Sequence, residues 1–332
     1  MKTNLIIVGA LVLGGACSFA AYQFSEMQAS SPGDQEPARP KEAVRTFTDD
    51  TGHTLRLRVP VQRIVTCYAA FAQMIESLGR EDALVGATRE QAESRGITNV
   101  GTHMSPDFEA IVSCRPDLVI VSSHRKKAVS SLREMLGGTD SAVLAVHPET
   151  VNDTLDLVRK LGAITGKEKR SRRLVRKARE RLEKVKSQVE AVPKRQRKEV
   201  FFEVRAAPSL LTCGTDSVAY NVMQLAGGRP VFRKAGSVVQ IDVERVVHAQ
   251  PDAYIQQVGV MNPDPVHPSE HAVVGELDCV REGRFVRIEE EQISRPGLQL
   301  ISAVEKVYEF LYGDDEQRSS MTGRKSLNVG EE

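Results

Sequence analysis

Tryptophan is missing from all 332 residues, and the other large aromatics are sparse, at 10 Phe and 6 Tyr. The chain therefore has few broad rings on which bases or sugars could stack. Cysteine is scarce as well, with five in the whole length and no CxxC pair. That excludes a disulfide scaffold and argues against a structural zinc site. An excess of one charge is also lacking, since 45 Lys and Arg face 44 Asp and Glu for a net +1. A generally basic nucleic-acid binder and an acidic solvating chain are both excluded. The seven His are scattered, without a His-rich loop or HExxH, unlike a zinc or manganese scavenger. No GxSxG elbow occurs. The one imitation of a phosphate loop, Gly162 to Glu168, is a residue short and offers Glu168 where a hydroxyl would meet magnesium. What remains is the composition of an ordinary globular chain, 41% hydrophobic and 27% charged, long enough for two lobes.

The first residues point to export. Lys2 precedes an apolar run from Leu5 to Cys17, followed by Ser18-Phe19-Ala20-Ala21, the pattern of a secretory signal. Three forms fit: cleavage after Ala20, lipid attachment at Cys17 behind Gly15-Ala16, or an uncleaved anchor running from Leu5 to Phe24. Each places the rest of the chain outside the cytoplasm, in the periplasm or attached to the envelope membrane. Residues 1–24 are thus expected to be a signal or anchor. Residues 25–43, rich in Ser, Pro, Gln and charge, read as a flexible linker, and 313–332 as a loose tail.

Between these ends, short apolar runs alternate with helical patterns. Thr46 to Val59 reads as a hairpin around Asp49-Asp50-Thr51-Gly52. Strands are expected at Arg63–Thr66, Ala83–Ala87, Asp117–Val121 and Ala142–Val146, and again at Val200–Val204, Ala253–Gln257 and Phe285–Ile288. Helices are expected at Phe71–Leu78, Ser105–Cys114, Ser217–Leu225 and Asp242–Gln250. Such alternation predicts an α/β fold with mainly parallel sheets, in two lobes at 44–163 and 193–312. Residues 164–192 join them as one long helix. Thr165 and Glu168 form a T-x-x-E capping pattern, and Leu174, Ala178, Leu182, Val185 and Val189 make a narrow apolar stripe. At 1.5 Å per residue, such a helix spans roughly 37 Å, a stiff bridge that predicts little movement between lobes. Its 11 Lys and Arg between Lys167 and Lys186 read as a solvated face, not as a nucleic-acid site.

One segment occurs twice. Residues 107–117 read DFEAIVSCRPD and residues 242–252 read DVERVVHAQPD, 135 positions apart. In each copy a Glu, Glu109 or Glu244, lies near a helix start, where the macrodipole favours an acid. Two copies in register suggest a duplicated lobe; the alternative is that both Glu are dipole partners and nothing more.

Doubly wound lobes bind ligands off the carboxyl ends of their strands. That rule selects Tyr68, Arg89, His103 with Met104, and His124 in the first lobe, and Arg205, Gln256 with Gln257, and Arg295 in the second. Arginine forks suit carboxylate and catecholate oxygens, and Tyr68 offers a flat face and a hydroxyl. "VTCYA" and "LTCGT" place Cys67 and Cys213 in comparable loops, so a soft-metal site across the cleft is conceivable.

Four stretches, "RIVTCYAAFAQMIESLGREDALVGATRE", "VGTHMSPDFEAIVSCRPDLVIVSS", "LGAITG" and "ISRPGLQLISAVE", resemble in order and spacing the substrate-binding proteins of bacterial ABC importers for iron-siderophores, haem and cobalamin. The resemblance runs from about residue 44 to 312. It implies two Rossmann-like lobes joined by a single long backbone α-helix, with the ligand cleft between the lobes. It implies an exported, monomeric capture protein without catalytic step or cofactor of its own, which carries an iron chelate, haem or corrinoid. The implied partners are a permease dimer and its ATPase, with Glu109 and Glu244 as the docking acids. The missing Trp departs from the family's habit of lining the cleft with that residue. From another class, a metallochelatase-like exported enzyme acting on tetrapyrroles fits the same bilobed outline, and a membrane-tethered metal sensor is a third reading.

Overall fold

The computed structural model describes residues 43–314. The export segment with Cys17, almost all of the linker and most of the tail lie outside the described residues. The thirteen strands are β1 (Ala43–Thr48), β2 (Thr54–Val59), β3 (Ile64–Thr66), β4 (Leu84–Ala87), β5 (Thr98–Asn99), β6 (Leu118–Ser122), β7 (Ala142–Val146), β8 (Glu199–Arg205), β9 (Leu211–Cys213), β10 (Arg229–Pro230), β11 (Val238–Gln240), β12 (Ala253–Val258) and β13 (Phe285–Glu289).

β1 and β2 pair antiparallel from Ala43 opposite Val59 to Thr48 opposite Thr54, which is the expected hairpin. The first lobe holds a five-stranded sheet in the order β5-β4-β3-β6-β7, parallel throughout. Its central strands β3 and β6 are buried at every position, as continuous apolar runs in a sheet covered on both faces require. The second sheet follows the order β11-β9-β8-β12-β13, with β10 also beside β8. Here β8, β12 and β13 run parallel, but β9 is antiparallel to both β8 and β11. The second lobe is thus mainly parallel, as expected, with antiparallel pairing confined to β9 and its two neighbours. Thr212 and Cys213 lie within β9 rather than in a loop, and the Thr212 hydroxyl donates to the Phe202 carbonyl at 2.7 Å.

Both sheets share one wiring. The first strand sits in the middle, the next strands extend to one side, and the chain then returns to add two strands on the other side. The strand order therefore reverses between β3 and β6 and between β8 and β12, and crevices open off the carboxyl ends at such switch points.

The bridging helix is Glu168–Ala191, 24 residues or about 36 Å at the usual rise. Ser171, Val175, Ala178, Val185 and Val189 are its buried residues, while Leu174 and Leu182 pack only partly. The stripe therefore runs through Val175 where Leu174 was expected. The T-x-x-E pattern does not cap this helix. Lys167 is the N-cap residue, and Thr165 instead closes the preceding helix Val151–Ile164, its hydroxyl donating to the Leu161 carbonyl at 2.7 Å. The real capping box is one helix earlier, between Thr150 and Asp153. The charged face of the bridge carries ion pairs, among them Arg181 to Glu305 and Arg45 to Glu168. Among the described residues no helix is long and apolar enough to cross a membrane.

Asp49 ties the hairpin to the first lobe. Its carboxylate, with a fully buried side chain, accepts from Arg133 Nη2 at 2.6 Å, the Thr51 hydroxyl at 2.7 Å, and the Thr51, His53 and Ala145 amides at 2.9, 3.0 and 3.2 Å. Burial works to raise its pKa, but the hydrogen bonds outweigh it and the net shift is downward. A depressed folded-state pKa adds stability that is present above the unfolded value and lost as pH falls through the folded one. Asp49→Ala strands several donors and is expected to cost about 2–3 kcal/mol. Urea unfolding at neutral pH checks this, and a midpoint unchanged from the parent would contradict it.

Candidate functional site

The two switch points face one cavity of about 810 Å³, inside the range of about 300–1,000 Å³ usual for small-molecule sites. Its wall draws on both lobes. Tyr68 follows β3, Arg89 follows β4, His103 and Met104 follow β5, His124 and Arg125 follow β6, and His147 follows β7. From the second lobe come Val204, Cys213, Val238, Gln257, Val260, Met261 and Arg295. Six of the seven expected ligand contacts, Tyr68, Arg89, His103, His124, Gln257 and Arg295, are thereby brought together.

Arg205 is the exception and does not line this cavity. Side chains alternate along a strand, and in β8 it is Val204 that faces the cavity. Arg205 meets the Ser209 hydroxyl at 3.4 Å instead. Cys67 is buried and absent from the lining, whereas Cys213 reaches it. Burial pushes both thiols up to about 12, which keeps them protonated near neutrality, unlike metal-ligating thiolates.

Tyr68 packs edge-on against Phe71 at 5.4 Å and lies against His103 at 4.3 Å between ring centroids. Burial raises its phenol to about 12, against the field of Arg295. His103 sits on the loop that starts at Gly101. There φ is +87°, and a Cβ would lie 2.5 Å from the Ser105 carbonyl oxygen, so only glycine fits without strain. Burial first, and the Arg125 charge second, lower the His103 pKa. Its Nδ1 is buried without a hydrogen-bond partner. His147 is lowered further, to about 4, by burial and by His124 and His103. These two imidazoles are therefore neutral at physiological pH, with lone pairs rather than charge to offer.

The three arginines of the wall differ. Arg295 is only 6% exposed and is occupied by Glu291 at 2.8 Å and Glu290 at 3.4 Å, with Glu90 of the first lobe at 3.8 Å. It is a clasp between the lobes more than a receptor for an anion. Arg89 and Arg125 have no acidic partner among the described residues. Arg125 instead leans on the Met104 sulfur. Opposing charge is thus available at two points of the wall. Large apolar side chains also stand open there: Met104, Val238, Val260 and Met261 line the cavity and are among the few exposed large hydrophobic residues of the described chain. Gln257, itself buried, accepts from the Ser294 hydroxyl and keeps an unpartnered amide nitrogen.

Sequence reasoning passed over His147, Arg125, Val260 and Met261. The signal for His147 was present, since it directly follows Ala142–Val146. Val260 and Met261 follow β12 in the same way.

Away from the cleft, Glu109 and Glu244 both occupy the first turn of a short helix, Phe108–Ser113 and Val243–Ala249, and both are exposed. Each helix leads into the equivalent strand of its sheet, β6 or β12.

A family model described as periplasmic binding protein matches residues 64–290. YvrC of Bacillus subtilis, named as an uncharacterized ABC transporter substrate-binding lipoprotein, is 23% identical over 292 residues, which cover 86% of this chain and 92% of that one. The vitamin B12-binding protein of Vibrio cholerae is 22% identical over 280 residues, 80% of this chain and 95% of its own. Among solved structures, a periplasmic haem-binding protein from Pseudomonas aeruginosa superposes with a TM-score of 0.62 at 19% identity, covering 76% of this chain and 93% of that one.

Proposed function

The chain belongs to the periplasmic binding protein family, and from that premise we propose that it is the exported capture protein of an ABC importer, with a tetrapyrrole-class metal chelate, haem or a corrinoid, as its cargo. One observation carries the choice of cargo: Arg89 and Arg125, without acidic partners among the described residues, share a cavity with the open apolar side chains of Met104, Val238, Val260 and Met261. A small hydrophilic chelate such as ferric citrate has anionic oxygens for the arginines but nothing for the apolar rim. A tetrapyrrole has both, a broad apolar face and carboxylate or amide groups at its edge. Neutral His103 and the Tyr68 ring supply a flat contact and a nitrogen donor in the same wall.

Capture requires no chemistry by the protein. The cleft sequesters the chelate, Arg89 and Arg125 orient its edge through charge-assisted hydrogen bonds, and the partner ATPase drives transfer through the permease. Glu109 and Glu244 serve as the docking acids.

A thermal-shift panel on the full chain tests the cargo. Haemin or cyanocobalamin at a hundredfold its dissociation constant is expected to stabilise by about 2.7 kcal/mol, and the released pigment is expected to be chemically unchanged. Stabilisation by ferric citrate alone would overturn the cargo class, and recovery of a metal-exchanged pigment would favour the chelatase reading.

A further inference from the structure

One cluster at the edge of the cleft is not used by the reading above: two of its members line the cleft cavity and the third lines the neighbouring one. His124, His147 and Glu149 come from two neighbouring places on the first sheet, the ends of β6 and β7, and their candidate donor atoms lie within 4.8 Å of one another. His124 Nε2 is 3.8 Å from Glu149 Oε1. The two imidazoles stack with centroids 3.5 Å apart and planes 26° from parallel. We propose that His124, His147 and Glu149 form a binding site for a borderline divalent transition ion, such as Zn²⁺, Co²⁺ or Ni²⁺, whose open coordination positions face the cleft.

The donor set selects the ion. Two imidazoles with one carboxylate suit Zn²⁺, Co²⁺ and Ni²⁺, whereas Ca²⁺ and Mg²⁺ require oxygen ligands and Cu(I) prefers thiolates. Three protein ligands leave a position for water or for a donor atom of the cargo, the arrangement of an open site.

The surroundings favour it in three ways. His147 Nδ1 is 3.3 Å from the hydroxyl of buried Ser122, so this partner holds the ring and leaves Nε2 as the free donor, as outer-shell groups do for metal-bound imidazoles. The Glu149 carboxylate meets His124 and no Lys or Arg among the described residues. A second cavity of about 310 Å³ adjoins the cluster, shared through His147 and Glu149, and Asp50, Asp153 and Asp156 also line it, with Lys160 beside Asp50 and Arg179 beside Asp156 as the counter-charges. That excess of acid provides a field favourable to a cation.

Closure demands little movement. Tetrahedral donors around zinc at about 2.0–2.1 Å stand about 3.3–3.5 Å apart, so separations of up to 4.8 Å must close by up to about 1.5 Å. His124 and Glu149 have side chains 51% and 45% exposed, free to turn while His147 stays held by Ser122. Unstacking His124 from His147 is part of that turn.

Equilibrium dialysis of the untagged full chain against ZnCl₂ and, separately, NiCl₂ tests the site. The expected result is one ion per chain with micromolar or tighter affinity. His147→Ala and Glu149→Gln are each expected to weaken it at least tenfold, and His267→Ala, at a half-buried histidine elsewhere, to leave it unchanged. His124→Ala, at an exposed ring, guards against a folding artefact at His147 and is expected to show the same loss. No saturable binding below millimolar ion, or binding that survives both His124→Ala and His147→Ala, would overturn the proposal. The proposal does not depend on the cargo, because the dialysis contains no tetrapyrrole.

Discussion

Uptake falls to background when Glu109 and Glu244 are both replaced by Arg, while affinity of the cleft for its cargo stays the same; that is the expected result with the largest effect. Neither residue lines the cleft cavity, so reversal has no route to the bound cargo. Both are exposed and sit in the first turn of helices that lead into equivalent strands, β6 and β12, of two sheets with the same strand order. A twofold permease presents the same basic patch twice, and its partner needs one matched acid on each lobe. Like charges brought face to face cost several kcal/mol, enough at both sites to prevent productive docking. Each single reversal is expected to leave partial uptake. Uptake of labelled cargo by cells carrying the importer, with affinity measured on the purified variants, makes the comparison. Normal uptake by the double variant would refute the docking role.

The second large effect lies in the cleft. Arg89→Ala with Arg125→Ala is expected to weaken haemin binding about a thousandfold, since a charge-assisted hydrogen bond contributes about 2 kcal/mol and each 1.4 kcal/mol is tenfold. The melting temperature of the empty protein should not move, because Arg89 is exposed, Arg125 half-buried, and neither holds an acid in place. Haemin dimethyl ester provides the control. With its carboxylates masked, it is expected to bind the parent about as weakly as haemin binds the variant. A loss below tenfold with haemin would remove the arginines from cargo recognition.

Much of the architecture was legible in the sequence because buried parallel strands are continuous apolar runs. Ala142–Val146 needed no adjustment, and Ser217 was correctly placed at the start of its helix, where its hydroxyl accepts from the Tyr220 amide. The short strands β5, β9, β10 and β11 could not be read in this way. Two or three residues carry no period, and their pairing depends on partners distant in the chain. Thr165 misled for a related reason. A T-x-x-E spacing marks a helix start only if the Thr is not already closing the helix before it, and the tight turn at Gly166, with φ of +70°, puts the two helices that close together.

The site divided along similar lines. Strand ends and the switch-point rule selected Tyr68, His103 and His124, which line the cavity, from one dimension alone. Arg205 was lost to the alternation of β8. The state of Arg295 was invisible, because Glu90, Glu290 and Glu291 converge on it only in three dimensions. The apolar rim at Val260 and Met261 follows β12 in a stretch with no pattern of its own, and exposure is what makes those residues informative.

The account stands most directly on a titration of the full chain with haemin, followed by the Soret band. It predicts a saturable 1:1 complex with a spectrum distinct from free haemin, abolished in the Arg89→Ala, Arg125→Ala double variant. Haemin and cyanocobalamin that both stay unbound, or a complex that forms equally well without those two arginines, would contradict it.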